Sequence, residues 1–435
     1  MRTDTNPNIH LKPTTMIKPF RNLITLTAIL LALAGCTEKQ ITCTLSGIIS
    51  GRDSDTLYLL KATEDLRFAQ IMIPITDSAF EYTLVIPYTE AYELVFKDEA
   101  ERGAWRPIYF FPENGELKFK LYPTNEYDKN QIEGGILTQQ FLDYRKLFED
   151  TFKPRYQPLS DSSSSLMMRN EYYSTKMDSL IKALRQTKDQ ETLSKLRVQI
   201  DELRTLEKDL SPKGDEIRQK NKLLRQEANK WRYEYINANP SIVTYYFLVE
   251  DLQTIKNNLI NPQDIKTTYA EFSRKFPEHP YTALINDMLN GLEEIKIGGK
   301  FIDFALSDLT GTTYKLSDII KDKIALIDLW ATWCGPCIET SRSMIPVYEE
   351  FKDMGFTVCG VAAEIKNTDQ MKMRIEKEQF PWINLVELDH KNHIWDKFGI
   401  SNSGGCTFLV DMDGTILAIG PTAEEVRSIL AGKLK

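Results

Sequence analysis

Three changes of character along the 435 residues predict a multidomain protein: an N-terminal all-β sandwich-like domain, a central α-helical region and a C-terminal α/β domain. Short β-branched and aromatic segments separated by Gly, Pro, Asn and Asp fill residues 40–125. Charged segments with apolar residues three and four apart fill 137–295, and strand-like and helix-like segments alternate after Gly298. At ~100–200 residues per domain the length fits two or three domains. We place the boundaries at 1–35, 36–136, 137–297 and 298–435. With 42% hydrophobic and 27% charged residues, wholesale disorder and collagen-like repeats are excluded. A net charge of −8 argues against a nucleic-acid footprint. One apolar run, at the N-terminus, argues against a polytopic membrane protein.

Residues 1–35 read as an export signal. Arg2, Lys12, Lys18 and Arg21 precede a short apolar core, Leu23 to Ala34, well below the ~20 apolar residues of a membrane span. The core ends in Leu33-Ala34-Gly35-Cys36, which resembles a bacterial lipoprotein signal; the resemblance implies lipidation of Cys36 and attachment to the cell envelope, facing the periplasm. Six cysteines are too few for a disulfide scaffold, but an exported chain meets conditions in which disulfides form.

In the β-rich part, Thr56–Leu60, Phe80–Ile86, Ala91–Phe96, Pro107–Phe111 and Glu116–Leu121 read as strands, with Glu113-Asn114-Gly115 as a hairpin turn. None of this part has the residue types of a catalytic constellation. In the helical part, Ser160–Ser165 reads as a loop or linker. Leu193, Leu196, Ile200, Leu203, Leu206 and Leu210 give an amphipathic helix, which Ser211-Pro212-Lys213-Gly214 breaks. A helical spacer or arm accounts for this pattern, with a partner-docking coiled coil as the alternative. After Gly298, Lys323–Trp330 and Phe356–Ala362 read as buried strands and Cys334–Phe351 as a helix. A hairpin turns at Asp413-Gly414, and a last helix starts near Ala423.

The chemistry concentrates in Trp333-Cys334-Gly335-Pro336-Cys337, where a buried strand gives way to a helix. At a helix N-terminus, unpaired N–H groups and the macrodipole favour thiolate over thiol. Cysteines at i and i+3 share one helical face, so the pair can alternate between dithiol and disulfide by thiol–disulfide exchange. Pro336 stiffens the first turn, where a missing N–H costs nothing. Structural zinc would need four ligands, and no second CxxC or HxxxH accompanies the pair. His390 and His393 beside Asp389 read as solvated side chains. A peroxiredoxin is disfavoured, because Ala331 and Ile327 stand where that family places Thr and Pro.

Residues from about 298 to 435 resemble a TlpA/ResA-type thioredoxin-like domain through the stretch Trp330-Ala331-Thr332-Trp333-Cys334-Gly335-Pro336-Cys337. The whole chain resembles lipoproteins of that type in which a β-domain of unknown function precedes the thioredoxin-like domain. The resemblance implies a thiol–disulfide oxidoreductase. Cys334 would be the exposed nucleophile and Cys337 the buried resolving thiol. Asp328 would be the buried acid that exchanges a proton with Cys337, and Glu364 an acid near the site. Trp333, Gly404 and Gly405 would meet substrate, and Trp330 would be core. Gly405 stands where the family carries a cis-proline facing the CxxC, which predicts a glycine-adapted loop. Pro346 lies about one turn beyond the usual kink proline. Cys406 reads as a small buried residue, Cys359 as core, and Cys43 has no evident partner.

No cofactor is implied. The Gly-Pro dipeptide is that of thioredoxin, whose potential is about −270 mV against about −120 mV for the oxidant DsbA, so a reductase is expected. The implied partners are disulfide-bonded envelope proteins, with apocytochromes c as one candidate class, and a membrane electron donor of the DsbD/CcdA kind. The alternatives are a non-enzymatic envelope-binding lipoprotein with a vestigial thioredoxin fold, and metal or Fe–S binding through Cys334, Cys337 and Cys406.

Overall fold

The computed structural model describes residues 40–434 apart from 67, 68, 70, 104, 105, 256–258 and 401–403. The segment read as an export signal, residues 1–35, and Cys36 lie outside the described residues. Two four-stranded sheets form the first layer pair. One has the order β4 (Ala79–Ile86), β1 (Ile41–Ile49), β7 (Gly115–Leu121), β8 (Gln131–Glu133); the other runs β3 (Ile71–Pro74), β2 (Thr56–Lys61), β5 (Tyr92–Phe96), β6 (Ile108–Phe110). Their inner faces share one core, in which Cys43, Leu45, Leu57, Leu94, Phe110 and Phe119 are buried. Alternation produces this: in β7, Leu117, Phe119 and Leu121 point inward while Glu116, Lys118 and Lys120 face water.

Glu113-Asn114-Gly115 is not a hairpin turn. β6 and β7 belong to different sheets, and β7 runs parallel to β1. The polar side chains that suggested a turn serve the crossing instead: Asn114 Oδ1 accepts from the Thr42 amide at 2.8 Å, and Glu113 Oε2 from the Leu137 amide at 2.7 Å.

Ser160–Ser165 is not a linker either. It lies inside one 33-residue helix, Ile136–Met168. The hydroxyls of Ser162 and Ser163 donate to the carbonyls of Pro158 and Leu159 four residues back, so the polar side chains are absorbed by the helix itself. The leucine pattern is helical over Gln190–Thr205 and packs on the helix Thr175–Gln186 around Met177, Ile200 and Leu203, closing a helical hairpin. Leu206 and Leu210 fall beyond it. Ser211 then caps the helix Pro212–Ala238, with Pro212 in the first turn.

The most apolar helix, Ile242–Thr254, is buried over Val243–Val249 and centres the helical core. Arg232 crosses that core. Its guanidinium meets Glu250 at 3.0 Å and Asp251 at 3.1 Å and donates to the Tyr144 hydroxyl at 2.8 Å. The helical region is fastened to the β-sandwich by buried polar contacts. The Ala91 amide donates to Tyr281 Oη at 2.7 Å, and Thr138 Oγ bonds both the amide and the carbonyl of Phe111 at 3.0 Å.

The third part is a seven-stranded mixed sheet ordered β10 (Thr313–Lys315), β9 (Ala305–Asp308), β13 (Ile383–Leu388), β12 (Phe356–Glu364), β11 (Ile324–Trp330), β14 (Cys406–Val410), β15 (Ile416–Ile419). β11 and β12 are buried along nearly their whole length, and the helix Gly335–Phe351 packs against both. This domain docks on the helical region at Gly291, where an added Cβ would sit 2.4 Å from the Lys397 carbonyl oxygen.

Candidate active site

The site forms where central strand β11 ends. The chain turns through Ala331–Trp333 and enters the helix Gly335–Phe351, with Cys334 as its N-cap residue. Cys334 Sγ accepts a hydrogen bond from the Cys337 amide at 3.3 Å, so one unpaired N–H of the helix start is spent on this sulfur. The two cysteines are joined as a disulfide, with Cα atoms 5.3 Å apart. The helix continues unbroken past Pro346 to Phe351.

The expected contrast between an exposed Cys334 and a buried Cys337 is absent: the residues are 7% and 8% exposed. The cause is the segment before β14. A Cβ on Gly404 would lie 3.9 Å from Cys334 Sγ, so this backbone covers the first sulfur. Gly405 lies over the second, its amide donating to Cys337 Sγ at 3.2 Å. A Cβ there would be 1.8 Å from the Leu329 carbonyl oxygen and 3.1 Å from Cys337 Sγ, so only glycine fits this approach.

Asp328 sits on β11 between Gly360 of β12 and Thr407 of β14, 2% exposed. Burial pushes its carboxyl up to about 7, and the Ser341 hydroxyl offsets part of that. Ser341 Oγ lies 2.5 Å from Asp328 Oδ2 and 3.0 Å from the Cys337 carbonyl oxygen. One hydroxyl proton serves two states. It binds the carboxylate when Asp328 is ionised; when Asp328 is protonated the carboxyl donates instead, and the hydroxyl turns to the carbonyl.

Glu364, at the end of β12, is 5% exposed, and burial raises its pKa. Its two oxygens accept from the Thr332 amide and hydroxyl, each at 3.2 Å. It thus braces the loop leading into Cys334. Trp333 is half-buried with its ring 5.9 Å from that of Trp395. Trp330 is fully buried, its Nε1 donating to Asn384 Oδ1 at 3.2 Å. Cys359 is buried in β12 and its thiol is pushed up to about 12 by burial. Cys43 lies in the sandwich core. Among the described residues no three His, Cys, Asp or Glu side chains are grouped so that they could hold a metal ion.

Sequence reasoning missed Ser341 and Thr332, which hold the two acids. Ser341 is four residues after Cys337, one helical turn on, a spacing that could have suggested it. The site opens to a cleft of about 890 Å³ lined by Asp328, Trp333, both cysteines and Gly404–Thr407. Gly404 and Cys406 also line a second cavity of about 640 Å³, walled by Glu64 of the β-part, Met288, Leu292 and Ile295 of the helical part, and Phe398 and Ile419.

A central parallel strand running into a helix capped by CxxC, with a buried acid on that strand, defines a thioredoxin-like disulfide-exchange domain. Residues 297–419 match the AhpC/TSA family, with Ala331 and Ile327 lying inside the match. The chain is 28% identical over 127 residues to thiol-disulfide oxidoreductase ResA of Geobacillus thermodenitrificans, spanning 29% of this chain and 69% of that one. It is 29% identical over 137 residues to ResA of Bacillus subtilis, spanning 31% and 73%. The solved thioredoxin domain of a thiol-disulfide oxidoreductase from Bacteroides vulgatus aligns with 25% identity and a TM-score of 0.30, covering 32% of this chain and 99% of that domain. The family match and these likenesses together support a TlpA/ResA-type thiol-disulfide oxidoreductase for the C-terminal domain.

Proposed function

We propose that the chain is an envelope disulfide reductase that exchanges disulfides with exported proteins through Cys334 and Cys337. The observation carrying this reading is the sulfur pair at the helix N-terminus beside a buried carboxyl whose pKa is raised to about 7. The Cys334 thiolate attacks one sulfur of a client disulfide; a mixed disulfide forms and the client's other sulfur leaves with an electron pair and takes up a proton. Asp328 accepts the Cys337 proton, and Cys337 Sγ attacks Cys334 Sγ. The 334–337 bond forms, the client's second sulfur departs, and the client has gained two electrons while the pair is oxidised. A carboxyl near 7 suits this work, because it is partly ionised at neutral pH and can also return the proton.

Glu364 acts as a positioning residue, through Thr332. Trp333, Gly404 and Gly405 line the cleft in which the client would lie. Cys36 is the proposed lipidation site. No helix among the described residues is long and apolar enough to cross a membrane, and a lipid on Cys36 would provide the attachment. Recharging the pair calls for a membrane electron donor of the DsbD/CcdA kind, and apocytochromes c are a candidate client class. Insulin reduction by the full chain, with Cys334→Ser as control, tests the reading: activity that survives this substitution overturns it.

A further inference from the structure

Both sulfurs of the pair receive a backbone N–H, and the two donors differ in origin. Cys334 is served by its own helix, at 3.3 Å from the Cys337 amide. Cys337 is served across the sheet, at 3.2 Å from the Gly405 amide, sixty-eight residues away. The approach depends on residue 405 having no side chain, since a Cβ would collide with the Leu329 carbonyl oxygen. It also depends on a residue that keeps its amide hydrogen, which proline lacks. Cys337 is 8% exposed, so water contributes little to stabilising charge on its sulfur.

We propose that the Gly405 amide is a catalytic group of the resolving step, donating to the Cys337 sulfur as it becomes a thiolate. This rests on the disulfide-exchange reading above. When Asp328 removes the Cys337 proton, negative charge appears on a sulfur taken out of water. A hydrogen bond to an anion is about twice as strong as one to a neutral acceptor, so the amide favours the thiolate over the thiol. The thiolate then spends its electron pair on the Cys334–Cys337 bond while the client sulfur leaves with the pair from the bond that breaks. The amide gives up no proton and no electron. It lowers the cost of the charged state that Asp328 creates.

The test reads the amide directly. Glycine labelled with ¹⁵N and ¹³C-carbonyl leaves amide-to-carbonyl correlations only where glycine follows glycine, which in this sequence is at Gly135, Gly299 and Gly405. In the reduced full chain the Gly405 amide proton should move downfield as pH is raised through the Cys337 ionisation, and should stay still in Cys337→Ala. In a second experiment, the pH midpoint of Cys337 alkylation by iodoacetamide is followed by mass spectrometry in Cys334→Ser with and without Gly405→Pro. The midpoint should rise by about one pH unit or more in the proline variant, a tenfold loss of thiolate, as the removal of a hydrogen bond to a charged group predicts. A Gly405 signal indifferent to Cys337 ionisation overturns the proposal whether or not the proline variant folds, and so does an unchanged midpoint in a folded variant. Insulin reduction by the unmodified chain separates this failure from that of the reductase reading: activity with a silent Gly405 amide sinks only the amide's role.

Discussion

Replacing Asp328 with Asn removes the carboxyl buried on β11 between β12 and β14, beside the disulfide. Its carboxyl stands at about 7 in the fold against 3.8 for an ordinary Asp, because burial disfavours the charge. Between those values the unfolded chain releases a proton that the native chain keeps. The unfolded state therefore binds fewer protons there, and stability falls as pH rises from about 4 to about 7, levelling above. At 1.36 kcal/mol per pH unit, the fall attributable to this site is roughly 4 kcal/mol. Asp328→Asn cannot titrate, so the variant should gain about that much on the oxidised parent between pH 4 and pH 8. Pulsed hydrogen exchange of β11 peptides across urea series at pH 4, 6 and 8 measures the difference in this domain alone. In the same variant, insulin reduction should slow at least tenfold, because the Cys337 proton loses its acceptor. Parallel stability curves for parent and variant would refute the reasoning, since they would mean that the carboxyl ionises at its ordinary pH inside the fold.

Other outcomes follow from the remaining contacts. Arg232→Met should cost about 3–5 kcal/mol, read by chemical denaturation of the helical region, because Asp251, whose side chain is 6% exposed, loses its cation. Tyr281→Phe should cost about 1–3 kcal/mol and raise amide exchange at Ala91, whose buried N–H loses its acceptor. Gly291→Ala should loosen the docking of the redox domain, seen as faster proteolysis near residues 295–300, while the isolated fold of that domain keeps its circular dichroism. Cys359 should resist iodoacetamide at pH 8 in the native chain, since its thiol is pushed up to about 12.

The redox half was legible in the sequence because its signals are local and physical. An acid in an apolar strand has to be buried, and a CxxC at a strand-to-helix junction has to cap the helix, so Asp328, Cys334 and Cys337 could be placed together from their spacing and resemblance alone. What escaped depends on distant chain. The turn residues Glu113-Asn114-Gly115 carry the composition of a hairpin, yet which sheet receives β7 is decided by the Leu117, Phe119 and Leu121 face packing across a shared core. Ser160–Ser165 looked like a linker by composition, but hydroxyls that bond carbonyls one turn back are compatible with a long exposed helix. The near-equal burial of the two cysteines was unreadable for the same reason: the backbone covering Cys334 comes from Gly404, seventy residues downstream.

The stretch from Gly404 to Cys406 is a partition one chain thick. The paired sulfurs lie on one side of it, and on the other is a chamber whose walls are drawn from all three parts of the molecule. Gly404, in the peptide plane whose hydrogen points at Cys337, forms part of that chamber's wall, so the sandwich and the helices stand within one residue of the sulfur pair.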